Sequence, residues 1–449
     1  MEKYSQIRDK LLLQIEDDEW VHPRCPHGPT VLFYRQSQKP NDGYYACSAH
    51  RNSKLCNFHM EFNKWQRNKL QRLLENVRDY PQSTRNDDDS DPTNNMEALS
   101  QDEVHAQYFF DPSALEFLAI QCRLLGIHKV VCMGAPRLHF YLRRTTKMKS
   151  FLLDFDERFV VYLSSKEFCQ YNMCNNHFFY NPEPFEQFLK CNSDERVMIV
   201  TDPPFGCRTE LIANTLRSLT RLHNRINNLP ATPLPIFWVY PYYMANYIVD
   251  DMPEMQICDY KLNYTNHSRY TNVGESRRCH GSPVRVFTNV PLELLQLPPG
   301  EGYKYCRKCE RFTAVENVHC DRCGDCCSRN GQSYRHCQLC DLCVKPNYVH
   351  CPNCRRCCQR ENHNCALYQS KQRCWICGQR GHIENNCGIL KCRNRKGTQK
   401  LGCLLCGKEQ HTERRCPMRS NYLKETQFMG QTTIVARKGV KQRKRKLLK

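Results

Sequence analysis

Apolar stretches of two lengths alternate through residues 104 to 300 and predict the architecture of the middle of the chain. Longer stretches, with an apolar residue at every third or fourth position, predict helices at residues 111 to 126 (DPSALEFLAIQCRLLG) and 211 to 226 (LIANTLRSLTRLHNRI). Short, nearly continuous apolar runs predict buried strands in HKVVCMG, SFLLDFD, RVMIVTDPPFG and PIFWVYPYY. Because strands alternate with helices, the fold class is predicted to be α/β with a mostly parallel sheet.

Two further apolar runs end this region. MQICDYKLNY (residues 255 to 264) and PVRVFTNV (residues 283 to 290) lie on either side of a polar loop at residues 265 to 281. A parallel sheet often carries antiparallel strands at its edge. We therefore expect these runs to pair antiparallel at one edge of the sheet, in a domain that covers residues 104 to 300.

The N-terminal region, residues 1 to 80, has aromatic, strand-like runs around a Pro-Asn-Asp-Gly turn. Cysteine and histidine flank these runs at spacings typical of a tetrahedral zinc site, and a cysteine-rich hairpin without metal is the alternative. The ligand order and the closing Cys-Asn-Phe resemble the GRF-type zinc finger, which implies binding of single-stranded nucleic acid. The candidate ligands are Cys25, His27, Cys47 and Cys56.

Residues 81 to 103 connect this region to the middle of the chain. Most of this segment (TRNDDDSDPTNNMEALSQDE) is acidic, polar and poor in large apolar side chains. Such a composition buries too little apolar surface to offset the entropy lost on ordering. We therefore expect an acidic linker that does not order itself.

Composition narrows the class of protein further. The chain has 449 residues, with 32 Cys, 17 His and a formal net charge of +20. No run of about twenty apolar residues occurs and the N-terminus lacks a signal-peptide pattern, so neither a membrane span nor secretion is expected. Outside an oxidising compartment, paired cysteines are expected to bind metal, and zinc is the expected ion.

The positive charge is concentrated near the end of the chain. Residues 301 to 449 contain 32 Lys and Arg against 11 Asp and Glu, whereas the first 300 residues are close to neutral. Seven filled zinc sites along the chain would remove about seven positive charges and still leave a basic excess. Such a surface attracts polyanions through counterion release, and nucleic acid is the expected partner.

Residues 301 to 370 contain a Cys/His-rich repeat. The motif His-Cys-x-x-Cys-x-x-Cys occurs three times, and the sixteen candidate ligands in the region suit four tetrahedral sites. The ligand spacing stays nearly constant if the sites interleave along the chain, and independent fingers are the alternative. Cys327 and Cys358 are then spare thiols. The interleaved sites are Cys306, Cys309, His319 and Cys326; Cys320, Cys323, His336 and Cys343; Cys337, Cys340, His350 and Cys357; and Cys351, Cys354, His363 and Cys365.

Residues 371 to 418 contain two copies of Cys-x2-Cys-x4-His-x4-Cys, which matches the CCHC zinc knuckle. Such a module holds unpaired bases with aromatic or apolar side chains, and Trp375 is a candidate for stacking. A structural or protein-binding knuckle is the alternative. The basic tail, residues 419 to 449, predicts a nuclear or nucleolar address, an RNA-binding arm or a solvating end. The knuckle ligands are Cys374, Cys377, His382 and Cys387, then Cys403, Cys406, His411 and Cys416.

The sharpest motif of the middle domain is Asp202-Pro203-Pro204-Phe205, directly after an apolar run. Residues at the carboxyl end of a strand in an open α/β sheet lie where ligands bind. The prolines stiffen the backbone, so the Asp202 carboxylate and the Pro203 carbonyl can accept hydrogen bonds from an adenine amine. Phe205 can stack on an unstacked base. We predict that these four residues are catalytic, although the motif alone is also an acceptable turn.

The motif resembles the Asp/Asn-Pro-Pro-Phe/Tyr signature of amino-group methyltransferases that use S-adenosylmethionine. The resemblance implies a Rossmann-like sheet with a cofactor loop after its first strand, here at Gly134. Asp154 or Asp156 ends the next strand and would take the ribose hydroxyls of the cofactor, while Asn172 and Met173 would lie at its adenine. As alternatives, the two acidic residues lie on the surface and Asn172 caps a helix.

Nearly the whole chain resembles the zinc-knuckle-containing ribosomal RNA adenine-N6 methyltransferase family, whose members join a GRF finger, this core, a Cys/His-rich domain and one zinc knuckle. The resemblance implies a stem-loop of large-subunit ribosomal RNA as substrate and about seven zinc ions. From the basic tail we expect a nuclear or nucleolar location, with the cytoplasm as a further compartment. The chain departs from the family in having two knuckles. By analogy the cofactor site also includes Gln107, Tyr108, Phe109, Phe110 and Arg137.

Two other functions remain open at this point. One is a non-catalytic, zinc-dependent RNA-binding scaffold whose core keeps the fold but no longer turns over. The other is adenine methylation of DNA instead of RNA. Methyl transfer to RNA is the leading hypothesis, because the order of the motifs favours an enzyme and the family resemblance implies ribosomal RNA as its substrate.

Overall fold

The computed structural model describes residues 11–14, 22–35, 39–50, 55–66, 80, 91–94, 107–266, 282–328, 330, 332–354, 356–359 and 363–365. Both predicted CCHC knuckles and the basic tail lie outside these residues. Within them, none of the helices combines the length and the apolar character needed to cross a membrane.

The N-terminal unit is a small antiparallel sheet. Four antiparallel strands form the main sheet, in the order Leu11–Gln14, Val31–Arg35, Tyr44–Ala46 and His59–Glu61, and Arg24–Cys25 pairs separately with Gly28–Pro29. Buried Leu32, Tyr45 and Phe62 form its own apolar cluster. The predicted strand-rich unit around a central turn is therefore present. Its elements are β1 (Leu11–Gln14), β2 (Arg24–Cys25), β3 (Gly28–Pro29), β4 (Val31–Arg35), β5 (Tyr44–Ala46), β6 (His59–Glu61) and α1 (Phe62–Gln66).

Part of the predicted linker is packed. Asp91 and Thr93 are buried at a 3-10 turn, Pro92–Asn94. The Asp91 carboxylate accepts hydrogen bonds from the backbone N–H of Thr93 at 2.9 Å and from its hydroxyl at 2.6 Å. Residues 91–94 thus form a local polar turn, and the assignment of residues 81 to 103 as an acidic linker stays a prediction.

The central region is an eight-stranded sheet with helices on both faces. The helices are α2 (Pro112–Leu124), α3 (Pro136–Thr145), α4 (Glu183–Leu189), α5 (Thr209–Ile226) and α6 (Ala245–Asp251). The strands are β7 (Lys129–Met133), β8 (Lys149–Asp154), β9 (Phe168–Asn172), β10 (His177–Phe178), β11 (Val197–Thr201), β12 (Ile236–Pro241), β13 (Gln256–Ile257) and β14 (Val284–Thr288).

The strand order is β10-β9-β8-β7-β11-β12-β14-β13. The neighbours from β9 to β12 run parallel, whereas β10, β14 and β13 pair antiparallel. The predicted α/β class and mostly parallel sheet are confirmed. The order in which strands are added reverses at β7: β8 and β9 lie on one side of it, and β11 and β12 lie on the other. That reversal is the position where open α/β sheets bind ligands.

The side chains of β7 explain why its sequence is continuously apolar. Val130 and Cys132 face one core cluster, with α2 and α3, while Val131 and Met133 face the other, with α4, α5 and α6. All five residues of the strand are buried. A strand covered on both faces needs apolar residues at successive positions, so the sequence pattern and the sheet agree.

The antiparallel pair predicted at the sheet edge is present but shorter than its apolar run. Only Gln256 and Ile257 pair with β14. Cys258 and Leu262, which follow outside the regular strand, each still donate one backbone hydrogen bond to β14, to the carbonyls of Val286 at 2.8 Å and Val284 at 3.3 Å. Between them the Tyr260 ring packs on the first core face and stacks on Phe117 at a centroid distance of 3.6 Å. The second half of the run thus combines irregular bonding to β14 with burial against helix α2.

Four antiparallel hairpins follow the sheet. Each pairs two short strands, and the ligand motifs lie at their ends: His319 faces Cys326, His336 faces Cys343, and His350 faces Cys357. The strands are β15 (Tyr303–Cys306), β16 (Arg311–Ala314), β17 (His319–Cys320), β18 (Asp325–Cys326), β19 (Arg335–Cys337), β20 (Leu342–Val344), β21 (Tyr348–Cys351) and β22 (Arg356–Gln359).

Candidate active site and metal centres

The predicted catalytic turn lies at the carboxyl ends of the two central strands. Asp202 follows β11, and its backbone N–H donates to the Met133 carbonyl at the end of β7, at 3.0 Å. The Gly134 N–H donates to the Leu153 carbonyl of β8 at 2.8 Å. The sheet ladder therefore fixes where the loop after β7 and the turn after β11 begin.

Gly134 has a conformation and a position that favour glycine. Its φ is +67°, and a Cβ built there would lie 2.6 Å from Met173 Cε and 2.9 Å from the Asp202 carbonyl oxygen. A larger residue would push these groups apart. The structure thus brings together the loops after β7, β9 and β11, as the predicted cofactor site requires.

The Asp202 side chain has a partner that the sequence did not predict. Tyr264, which is 1% exposed, donates its hydroxyl to Asp202 Oδ1 at 2.8 Å. Burial raises the pKa of the Asp202 carboxyl well above its ordinary value; the Tyr264 hydrogen bond opposes this shift, and the charge of Asp154 adds to it. Tyr264 lies 62 residues from Asp202 in an unremarkable aromatic run, so no local pattern indicated this contact.

Aromatic rings surround the carboxylate. Tyr264 stacks on Phe110 with ring centroids 5.3 Å apart, and Tyr108 lies 5.6 Å from Tyr264 and 5.9 Å from Phe205. The Tyr240 hydroxyl contacts the Pro204 carbonyl oxygen at 3.4 Å and that of Phe205 at 3.1 Å. These rings form an apolar wall beside a hydrogen-bond acceptor, which suits a flat, polar-edged base.

The two acidic residues predicted near the ribose differ in their surroundings. Asp156 forms an ion pair with Arg158 at 2.7 Å and accepts a hydrogen bond from Gln107 Nε2 at 3.4 Å. Asp154 ends β8, and it accepts the Asp156 backbone N–H at 2.9 Å. Burial raises the pKa of Asp154 to about 7. Asp154, which is not paired with a basic side chain in the described contacts, fits the ribose-binding role better than Asp156.

Other predicted cofactor residues make structural contacts. Asn172 Nδ2 donates to the His27 carbonyl of the N-terminal unit at 2.7 Å. Arg137 donates to the Phe110 carbonyl at 3.3 Å and to Thr265 Oγ1 at 2.8 Å. The segment of Phe109 and Phe110 is buried. These residues lie around the site, and their direct contact with a cofactor stays a prediction.

The N-terminal unit docks on the core next to the loop after β9. Asn175 Nδ2 donates to the carbonyls of His27 at 3.1 Å and Pro29 at 2.8 Å. Gly28, with φ +97°, allows close approach, because a Cβ there would lie 2.6 Å from the His177 ring. A zinc ligand of this unit is therefore held beside the cofactor-binding face.

Five groups of one histidine and three cysteines converge within the described residues, with ligand atoms of each group within 4.8 Å of one another. The first is Cys25, His27, Cys47 and Cys56, and the other four follow the interleaved order rather than that of independent fingers. Cys327 and Cys358 belong to none of these groups.

The geometry of these groups fits zinc. In a tetrahedral site with Zn–S near 2.3 Å, sulfurs lie about 3.8 Å apart. The measured Sγ distances are 3.7 Å for Cys309 and Cys326 and 3.7 Å for Cys323 and Cys343. A soft Cys3His donor set is typical of structural zinc. The eight predicted knuckle ligands, from Cys374 to Cys416, lie outside the described residues.

Taken together, the sheet order, the Asp-Pro-Pro-Phe turn at the end of β11 and the carboxylates beside the loop after β7 define a Rossmann-like methyltransferase that acts on amino groups with S-adenosylmethionine. Residues 101–289 match the family model described as "Probable N6-adenine methyltransferase". This match contains the predicted catalytic turn and the strands that position it.

Curated relatives identify the family. The Homo sapiens rRNA N(6)-adenosine-methyltransferase ZCCHC4 is 34% identical over 438 residues, which cover 83% of this chain and 84% of the relative. The relatives of the same name from Xenopus laevis and Mus musculus are 32% and 34% identical and cover 71% and 66% of this chain, and 76% and 70% of their own lengths. The chain belongs to this ZCCHC4 methyltransferase family, and its cofactors are S-adenosylmethionine and zinc.

Proposed function

We propose that this enzyme methylates N6 of an adenosine in a stem-loop of large-subunit ribosomal RNA, while its zinc modules hold that RNA. The relatives carry ribosomal RNA adenosine methylation in their names. The basic excess of residues 301 to 449 supports binding of a polyanion. The basic tail, residues 419 to 449, supports a nuclear and nucleolar location, with the cytoplasm as a further compartment.

The observation that carries this proposal is the position of the Asp202 carboxylate. It lies at the end of β11, beside the loop at Gly134 and inside a wall formed by Tyr108, Phe205 and Tyr264. A base that enters this site has an aromatic surface against its ring and acceptors at its edge. That arrangement suits an unstacked adenine with an exocyclic amine.

The residues of the chain orient the amine and do not need to activate it strongly. The Asp202 carboxylate and the Pro203 carbonyl each accept one N–H, which directs the nitrogen lone pair away from them. Tyr264 holds one carboxylate oxygen, so the orientation of Asp202 is set before substrate binds. S-adenosylmethionine supplies an already activated methyl group on a cationic sulfonium, whose charge favours the ionised forms of Asp154 and Asp202. Alignment is then the main contribution of the protein.

The experiment compares Asp202→Ala with Asp194→Ala, an exposed acidic residue outside the site. We expect Asp202→Ala to lower methyl incorporation into a ribosomal RNA stem-loop by roughly 10²–10³-fold, as for loss of one aligned polar partner in a transition state. Asp194→Ala should match the wild type. Transfer at the wild-type rate by a folded Asp202→Ala variant would contradict the proposal.

Two further measurements separate the alternatives. A scaffold without catalysis predicts neither methyl transfer nor a rise in Tm when S-adenosylmethionine is added. An enzyme for DNA predicts faster transfer to a DNA stem-loop than to RNA of matched sequence. Mapping N6-methyladenosine in total RNA, with and without this protein, would identify the substrate.

A further inference from the structure

Two cysteines outside the metal centres lie together beside the active site. Cys174 is buried and follows Met173 after β9, and Cys207 is half-buried and closes the Asp-Pro-Pro-Phe-Gly turn after β11. Their Sγ atoms are 3.1 Å apart. Within the described part of the chain, neither belongs to a group of metal ligands. The proposed methyl transfer uses neither thiol.

The backbone on both sides of this pair is held by hydrogen bonds. The Cys174 N–H donates to Asn172 Oδ1 at 3.0 Å. The Cys207 N–H donates to the Pro204 carbonyl, and the Cys207 carbonyl accepts the Tyr240 hydroxyl, both at 2.8 Å. A disulfide has an S–S bond near 2.05 Å, so sulfurs at 3.1 Å need to approach by only about 1 Å. The two loops therefore hold the two thiols close enough for a disulfide to form after a small movement.

We propose that Cys174 and Cys207 form a reversible disulfide that ties the loop after β9 to the catalytic turn and slows methyl transfer. The effect on methyl transfer rests on the proposed function, whereas formation of the bond does not. The bond joins the backbone next to Met173 to the backbone that follows Phe205. These two loops meet at Gly134, where Met173 Cε and the Asp202 carbonyl already leave no room for a Cβ.

The oxidant is a small-molecule disulfide, for which glutathione disulfide is the probe. The half-buried Cys207 loses its proton, and its thiolate attacks one sulfur of glutathione disulfide, which releases a glutathione thiolate and leaves a mixed disulfide. The Cys174 thiolate then attacks the Cys207 sulfur and releases the second glutathione. Two protein thiols are oxidised, one glutathione disulfide is reduced, and the two protons pass to the leaving thiolates.

The expected fall in the rate of methyl transfer follows from how far the two sulfurs must move to form the bond. Closing the sulfurs by about 1 Å pulls on both loops, and an error of that size in the alignment of reacting groups costs up to about 10²-fold in rate. Because the two loops share the strain, we expect kcat/KM of the oxidised enzyme to fall by roughly tenfold. Reduction should restore it.

The experiment equilibrates the full, zinc-loaded chain with mixtures of glutathione and glutathione disulfide. Peptide mass spectrometry measures the linked peptides of Cys174 and Cys207, and a chromogenic chelator measures any released zinc. The expected result is a linkage that appears before zinc is released, with a tenfold fall in kcat/KM that a phosphine reductant reverses. Cys174→Ser and Cys207→Ser should keep their activity in the oxidising mixtures.

Cys191→Ser is the matched control, because Cys191 is also a half-buried thiol of the core but lies near His223 instead. The Cys191→Ser variant should form the linkage between Cys174 and Cys207 and lose activity as the wild type does. Absence of the linked peptide while zinc stays bound would overturn the proposal, as would linkage with unchanged kcat/KM in an active enzyme. A reduced enzyme without methyl transfer would refute the proposed function, while the mass measurement would still decide whether the disulfide forms.

Discussion

The central sheet and the hairpins after it are stabilised by different means. In the sheet, side chains as large as Phe151 and Trp238 are completely buried. In the hairpins, several apolar side chains are exposed, among them Tyr305 at 50% and Leu339 at 76%. Burial of apolar surface therefore accounts for the order of the first region and contributes much less to that of the second, where Tyr303, Ala314 and Val344 are buried.

The hairpins are also too short to be stable alone. A two-stranded hairpin is at best marginally stable in water, and β17 and β18 have two residues each. Three of the four metal groups in this region take ligands from two successive hairpins, such as Cys320 with Cys343, and the fourth joins the last hairpin to His363 and Cys365. The interleaved ligands thus replace an apolar core with a chain of cross-links, and the stability of the two regions should respond to different perturbations.

Removal of zinc should have the largest effect: the hairpins should unfold while the central sheet stays folded. A structural zinc ion contributes on the order of 10 kcal/mol to folding. With a strong chelator we expect amides of β15 to β22 to lose protection from hydrogen exchange, while amides of β7 and β11 keep theirs. Hydrogen exchange with mass spectrometry measures both in one sample.

The opposite perturbation is a cavity in the sheet. Phe151→Ala should destabilise the central region by about 3–5 kcal/mol, because a fully buried ring is removed, and should leave the zinc content unchanged. If the chelator and the cavity expose the same amides, the two regions form one cooperative unit and the contrast drawn here is wrong.

Sequence patterns predicted the parts of both regions that depend on local spacing. The buried strand before Asp202 and the sharing of ligands between hairpins follow from residues that are near one another in the chain. The contact of Tyr264 with Asp202 and that of Asn172 with the N-terminal unit join residues 62 and 145 positions apart. Such contacts depend on how elements pack, so a single sequence does not reveal them.

A buried hydrogen-bond network joins the two regions, beside the contact where Tyr303 of the first hairpin stacks on Tyr260 of the core. Asp259, just after β13, accepts hydrogen bonds from the Ala314 N–H at 3.0 Å and from Asn317 Nδ2 at 2.7 Å. Asn317 is completely buried and also donates to the carbonyls of Cys326, at 3.3 Å, and Ser328, at 3.0 Å. It therefore links the core to a ligand of the first interleaved zinc site.

Asn317→Ala should weaken the coupling between the two regions. Loss of a buried partner costs about 1–3 kcal/mol, since Asp259 and the carbonyls lose their donor. We expect amides of β15 and β16 to exchange about tenfold faster or more, with little change in β7 and β11. Asn289→Ala is the control, because Asn289 bonds only Leu234 and Ile236 within the core. Equal effects of both substitutions on β15 and β16 would show that Asn317 has no special coupling role.

Tyr264→Phe should have the smallest effect and should act on reactivity rather than on stability. The substitution keeps the ring that stacks on Phe110 and removes only the hydroxyl that donates to Asp202. That hydrogen bond holds the pKa of Asp202 down against burial and the nearby charge of Asp154, so its loss raises the pKa. The ionised carboxylate of Asp202 is the stronger acceptor for the adenine amine, so activity falls as pH falls through the pKa of Asp202.

The acid limb of the kcat/KM profile should therefore move to higher pH in Tyr264→Phe, because the carboxylate loses a hydrogen bond that favours its charged form. The activity at high pH should approach that of the wild type. Tyr260→Phe is the matched control, since its ring also stacks, on Phe117, and its hydroxyl bonds the Ser113 carbonyl away from the carboxylate. A limb that stays in place in Tyr264→Phe, or moves equally in Tyr260→Phe, would mean that the core does not use this hydroxyl to keep Asp202 ionised.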